Sequence, residues 1–188
     1  MSVVSIAQDV QGPEIARPWL VQAGATFPNL IDRHNQVGNA YNLKAVPIGI
    51  LLDEHGQLVR PVGHVDINDA LFRREVTDWV ETGNIPAAWS DAPVVHSLRK
   101  LTDNETRSTA HLRSAVVLLT QGDRDSAIAE LDQAFRLDQN NFIIRKQLWA
   151  LDSPEAFYQD RVDYAWQRNR TAFEDAHGTT DPVSDSST

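Results

Sequence analysis

Apolar positions along the chain fall into zones of different period. Residues 3–7, VVSIA, form a short β-branched run of the buried-strand type, which Asp9 and Gly12-Pro13 interrupt. Residues 18–23 read as a short helix, with Pro18 at a first helical position and Gly24 as its stop. Any helical turn through Ile15 would be kinked at Pro18, which has no N–H. TFPNLID, residues 26–32, is extended and leads into a turn. RHNQVGNAYNL gathers Val37, Ala40 and Tyr41 on one side of a weak helix that Gly38 disfavours. Two β-prone stretches, Ile48–Leu52 and Gln57–Pro61, flank Asp53–Gly56, with Gly56 suited to a positive φ; a hairpin is predicted. From Asn68 the period becomes helical: Leu71, Phe72, Val76, Trp79 and Val80 share a face, Asp66 or Asn68 is the candidate cap, and Gly83 is the stop. Strand, helix, hairpin, helix is an α/β order.

Residues 84–104, with two prolines and two asparagines, read as a linker holding a short helical piece near Val94–Leu101. Beyond it the pattern is wholly helical. Leu112, Ala115, Val116 and Leu119 line one helix; Ala127, Ile128, Leu131, Ala134, Phe135 and Leu137 line the next, around a Gln121-Gly122-Asp123 turn. A third helix, a Ser153-Pro154 break and an aromatic segment follow. Trp149, Phe157, Tyr158, Tyr164 and Trp166 are expected to pack back over the pair. The predicted organisation is an α/β unit over 1–83, a linker over 84–104, a helical extension over 105–173 and a disordered, Ser/Thr/Asp-rich tail over 174–188.

Composition narrows the function. The chain has 188 residues, 41% of them hydrophobic and 23% charged, a profile that suits a soluble globular protein. A formal net charge of −9 argues against nucleic acid, whose phosphates require clustered Lys and Arg. Arg73-Arg74 and Arg99-Lys100 lie in acidic surroundings and read as solvated faces. No apolar run reaches the roughly 18–20 residues of a membrane span, and no signal peptide is visible. The absence of cysteine removes disulfides, thiolate metal sites and thiol mechanisms from this chain. The six histidines follow no ligand spacing, so no metal is expected, and no glycine-rich phosphate loop implies a cofactor. Asp53, Glu54 and His55 resemble an acid/base group but occupy a hairpin turn, where polar residues are normal. Asp9 and Asp32 are likewise turn residues first.

Four ordered landmarks carry a resemblance: Val3–Asp9 (VVSI-x-x-D), Phe27–Asp32 (F-P-x-L-x-D), Tyr41–Pro47 (Y-x-L-x-x-V-P) and Ile48–Val59 (I-x-x-x-D-x-x-G-x-L-V). Residues 3–82 thereby resemble the later part of a thioredoxin-like domain. The branch is that of extracytoplasmic thiol–disulfide oxidoreductases of the TlpA/ResA type and their peroxiredoxin cousins. The resemblance implies a partial three-layer thioredoxin-like fold, a cis Val46–Pro47 bond, and a binding loop at Ala45, Val46 and Pro47 whose Val46 backbone pairs with an extended substrate. That group's chemistry resides on a Cys-x-x-Cys and its strand and helix, which have no counterpart here, so the chain as written is redox-inactive. The strand without a counterpart lies, in the family sheet, between the strands matched by Val3–Ala7 and Ile48–Leu52. An upstream start, a strand from a partner, or direct re-pairing of the two strands would each account for its absence, the first being favoured. Compartment follows the same choice: cytoplasmic if Met1 is the start, extracytoplasmic if a signal-bearing segment precedes it.

Residues 108–141 resemble one tetratricopeptide unit, through Gly122-Asp123, Ala127-Ile128, Leu131, Ala134 and Leu137-Asp138. His111 and Gln139 depart from that repeat. One unit cannot bury both its faces, so a protein partner or a homodimer is expected. The alternative to the redox-scaffold reading is a non-enzymatic interaction module using these helices and an exposed strand edge.

Overall fold

The computed structural model describes residues 1–90, 99–159 and 162–177. It is mostly helical, with one two-stranded parallel sheet, a mixed α/β arrangement followed by a helical extension. Strand β1, Ser5–Ala7, pairs in parallel with β2, Asn29–Ile31, in the register Ser5↔Asn29, Ile6↔Leu30, Ala7↔Ile31. Parallel neighbours need a crossover, and helix α1, Pro13–Gln22, supplies it. Pro13 opens α1, whose first N–H groups have no helical partner in any case. The helix then continues through Pro18 rather than starting there, so the expected start at Pro18 is corrected by five residues. All of α1 lies outside the buried core.

Helix α2, Gln36–Tyr41, forms despite its weak periodicity. Asp32 organises its first turn: its carboxylate accepts from the backbone N–H of Gln36 and Val37, each at 2.8 Å. A Cβ at Gly38 would overlap the Asn35 side chain, so a larger residue there would force that side chain to move. The expected hairpin is present in reduced form. Asp53 accepts from the N–H of His55 and Gln57, Gly56 takes φ 75°, and Leu52 bridges Leu58. Among the described residues, Ile48–Leu52 and Gln57–Pro61 do not form regular strands; antiparallel pairing is confined to two isolated bridges, Leu52↔Leu58 and Gly49↔Gly63. Pro47 and Pro61 have no N–H to give a ladder, and glycine stands at both ends of the second bridge. Nor does the sheet join β1 to Ile48–Leu52: β1 pairs with β2. Direct re-pairing of the two apolar stretches is therefore not the arrangement found.

Helix α3, Ala70–Thr82, stops at Gly83 with φ 72°, as expected. Its cap is Asp69, whose side chain accepts from Leu71 N–H, in place of the expected Asp66 or Asn68. Phe72 and Trp79 of its apolar face pack at 6.4 and 6.1 Å on Trp89, in a single 3-10 turn at Ala87–Trp89. Trp89 also donates to Glu75. Most of the predicted helical piece at Val94–Leu101 lies outside the described residues.

The helical part starts at α4, Asp103–Thr120, two residues before the predicted boundary. Its N-terminus is a capping box in which Thr102 and Glu105 satisfy each other's backbone N–H. Gly122, at φ 81°, turns the chain into α5, Arg124–Leu137, capped by Asp123. Ala115, Ala127 and Ala134 are fully buried, letting α4 and α5 approach closely enough for Ser108 to donate to the Ala134 carbonyl at 2.7 Å. Helix α6, Phe142–Asp152, is the most buried element, capped by Asn141. A short α7, Glu155–Tyr158, and α8, Tyr164–His177, complete the chain described. Trp166 packs edge-on against Trp149 at 5.7 Å and Phe157 at 6.0 Å, whereas Tyr164 stays exposed.

Helix α8 runs past residue 174, so the tail boundary placed there falls inside a helix; the rest of that tail lies outside the described residues. The reason is an ion pair. Arg145 and Glu174, each with 4% of its side chain exposed, meet at 2.9 Å. Phe135, Phe142 and Trp149 surround the guanidinium, and Glu174 also accepts from Trp149 Nε1 and from Arg170. Removing Glu174 takes the buried counter-ion from Arg145 and leaves it the solvent-exposed Asp175. Glu174→Ala is expected to lower stability by about 3–5 kcal/mol in urea denaturation. The exposed Asp175, 3.1 Å from the same arginine, should cost less than about 1 kcal/mol as Asp175→Ala.

Candidate functional site

The predicted binding loop begins where α2 ends. Asn42 takes a left-handed conformation, and the Leu43 N–H closes on the Gly38 carbonyl at 2.7 Å. Leu43 is buried; the chain then emerges, and Ala45, Val46 and Pro47 are all exposed, Val46 by 38%. The Val46–Pro47 peptide is cis. Among the described residues, the backbone groups of Ala45 and Val46 are engaged in no hydrogen bond. The structure thus brings the three predicted residues together on one projecting turn with an unpaired main chain.

Lys44 fixes the near side of that turn. Its ammonium lies 2.9 Å from Glu105 at the start of α4 and 2.8 Å from Asp138 at the end of α5. Arg99 grips the same Glu105 with two nitrogens, at 2.9 and 3.0 Å. Burial opposes the charge on Lys44, but its hydrogen bonds to Asp138 and Glu105 outweigh this and raise its pKa. The Arg99 guanidinium holds the Glu105 carboxyl well below its ordinary range; Thr102 and Lys44 add to the effect, and partial burial opposes it. Sequence reading did not find this clasp, because its members are 61 and 94 positions apart.

A second polar group lies beyond the C-terminal end of β1. Asp9 is buried and accepts from Gln11 N–H and from the Tyr158 hydroxyl, both at 2.9 Å. Burial raises its pKa, against the opposing influence of those hydrogen bonds and of Arg33. Burial and the neighbouring Asp9 charge also push the Tyr158 phenol up. Both Asp9 oxygens are occupied from within the chain, which makes it an anchor between the two parts of the molecule. Asp53, Glu54 and His55 remain on their exposed turn.

Among the described residues, no three of His, Asp and Glu converge as metal ligands, and no helix is long and apolar enough to cross a membrane. A shallow groove of about 410 Å³ lies between α3 and residues 84–86, lined by Leu71, Arg74, Glu75 and Asp78 among others, and the 45–47 loop takes no part in it. No protein-family model, curated protein or solved structure matches the chain.

The clasp gives a pH dependence of known sign. A carboxyl whose folded pKa lies below its unfolded value stabilises the fold above the unfolded pKa, and that contribution disappears as pH falls through the folded one. The stability advantage of the native chain over Glu105→Gln should therefore be full at neutral pH and shrink steadily as pH drops below the ordinary glutamate value of 4.5. Urea midpoints of the two proteins between pH 7 and pH 3 measure it.

Proposed function

We propose that this chain is a thioredoxin-like polypeptide-binding protein, related in scaffold to thiol–disulfide oxidoreductases and without thiol chemistry in its 188 residues. The observation that carries the reading is the Ala45–Val46–Pro47 turn, exposed, held from Lys44, and presenting main-chain groups that nothing in the described chain engages. An extended polypeptide is the ligand such a turn suits, because an exposed main chain recognises another main chain by strand-like hydrogen bonds. Support also comes from the order of the landmarks, with Val3–Asp9 and Phe27–Asp32 lying on and around two paired parallel strands. The helical extension acts in this reading as the rigid base of the loop, through Glu105 and Asp138.

A second reading is favoured by one observation. The outer edge of β1 is unpaired in the described chain, and Val3, Val4 and Ile6 are exposed, with no charge or proline among residues 3–7 to discourage pairing. Here the protein is an interaction module that accepts a strand from a partner protein or a second copy.

One titration separates the two. An unfolded, alkylated polypeptide is added to the 15N-labelled chain, and amide shifts are followed by NMR. The loop reading predicts shifts centred on Ala45 and Val46, with no disulfide reduction above the dithiothreitol background in a parallel turbidity assay. Shifts centred on Ser2–Ala7 would favour strand addition at β1. An unperturbed loop at saturating polypeptide contradicts the loop reading.

A further inference from the structure

Residues Gln8–Gln11 leave the end of β1 and cross the helical part, which holds them as a receptor holds a ligand. The Val10 side chain, 2% exposed, belongs to the apolar cluster built from α4, α5 and α6, with Leu112, Leu131 and Leu148 among its members. On either side of Asp9 a single carboxamide reads the main chain: Gln147 Oε1 accepts from Val10 N–H at 2.9 Å, and Gln147 Nε2 donates to the Gln8 carbonyl at 2.7 Å. The Tyr158 hydroxyl donates to Asp9 at 2.9 Å and accepts from Gln11 Nε2 at 2.8 Å. A backbone clamp, an apolar socket and a phenol aimed at a carboxylate therefore converge on four consecutive residues.

Gln147 is the informative member. A carboxamide buried beside aliphatic side chains loses free energy unless both its ends are hydrogen-bonded. Its partners are the Gln8 carbonyl and the Val10 N–H, main-chain groups that another polypeptide can also offer. Side-chain selection then falls to the socket and the phenol. Gly12, at φ 109°, follows the segment directly and leads the chain into α1.

We propose that Gln147, Tyr158 and the apolar cluster of α4–α6 form a binding site for a polypeptide segment bearing an acidic residue followed by a β-branched aliphatic one, and that its occupant here is the chain's own Gln8–Gln11. The site is separate from the 45–47 loop and does not depend on how that loop is read. An outside segment of the same chemistry competes with the internal one.

The test uses the full chain and a fluorescent peptide of the sequence Ser5–Gly12, SIAQDVQG, with SIAQVDQG as the control. In the variant Val10→Glu a carboxylate replaces the buried isopropyl group, so the internal segment is expelled. That variant is expected to bind SIAQDVQG saturably, about tenfold or more tighter than the native chain does, and to prefer it to the control. Adding Gln147→Ala should reduce the affinity about tenfold. A Val10→Glu chain that unfolds cooperatively yet does not distinguish the two peptides overturns the proposal, as does an unchanged affinity on Gln147→Ala. If Val10→Glu does not fold, hydrogen exchange on the native chain decides. Peptide above the effective concentration of a short tether, on the order of millimolar, should accelerate exchange of the Val10 amide, and no acceleration overturns the proposal.

Discussion

Burying the isopropyl group of Val10 among leucines from the helical part draws the polar backbone around it out of water, and that backbone must find partners. Gln147 meets the requirement on one side, binding Val10 N–H and the Gln8 carbonyl, while Arg33 donates to the Val10 carbonyl at 3.0 Å. A buried valine contributes about 1.5–3 kcal/mol, and the enclosed hydrogen bonds add specificity of position more than energy. The α/β part depends on this joint because it buries little by itself. Helices α1 and α3 have no buried residue, and the paired Ile6 and Leu30 of the sheet are both exposed. Val10 is the residue it places in the large apolar cluster.

The electrostatic contacts follow the same logic. Lys44 bridges from the loop to Glu105 and Asp138, Asn39 donates to Thr109 at 3.1 Å, and Tyr158 reaches Asp9. Each ties a residue before position 50 to one after position 100. Within the helical part, the Arg145–Glu174 pair does for α8 what Val10 does for β1, fixing the last helix against α6. The candidate loop thus projects from a base defined by the helices.

What could be read from the sequence was local. The α4–α5 hairpin follows from apolar residues at helical spacing around Gly122-Asp123, and the end of α3 from Gly83, because both are settled within a turn or two of chain. The reduced hairpin shows where local reading stops: Asp53–Gly56 encodes the turn, but prolines and glycines in the flanking stretches limit the ladder to two bridges. Asp9 looked like a turn residue, and it does accept from Gln11 N–H; its second partner, Tyr158, is 149 positions away. The Lys44 clasp and the Gln147 clamp were illegible for the same reason. A lysine or glutamine with no regular spacing to its partner leaves no periodic trace.

Through the Gln8–Gln11 joint the strands and the helices form one cooperative body. Native-state hydrogen exchange across a urea series tests it most directly, by comparing the Asp32 amide, bonded to the Ala7 carbonyl beside the sheet, with the amide of Leu131 at the centre of α5. Both amides are expected to exchange through the same global opening, with equal free energy and equal urea dependence. An Asp32 amide that exchanges through a smaller opening while Leu131 stays protected would contradict it.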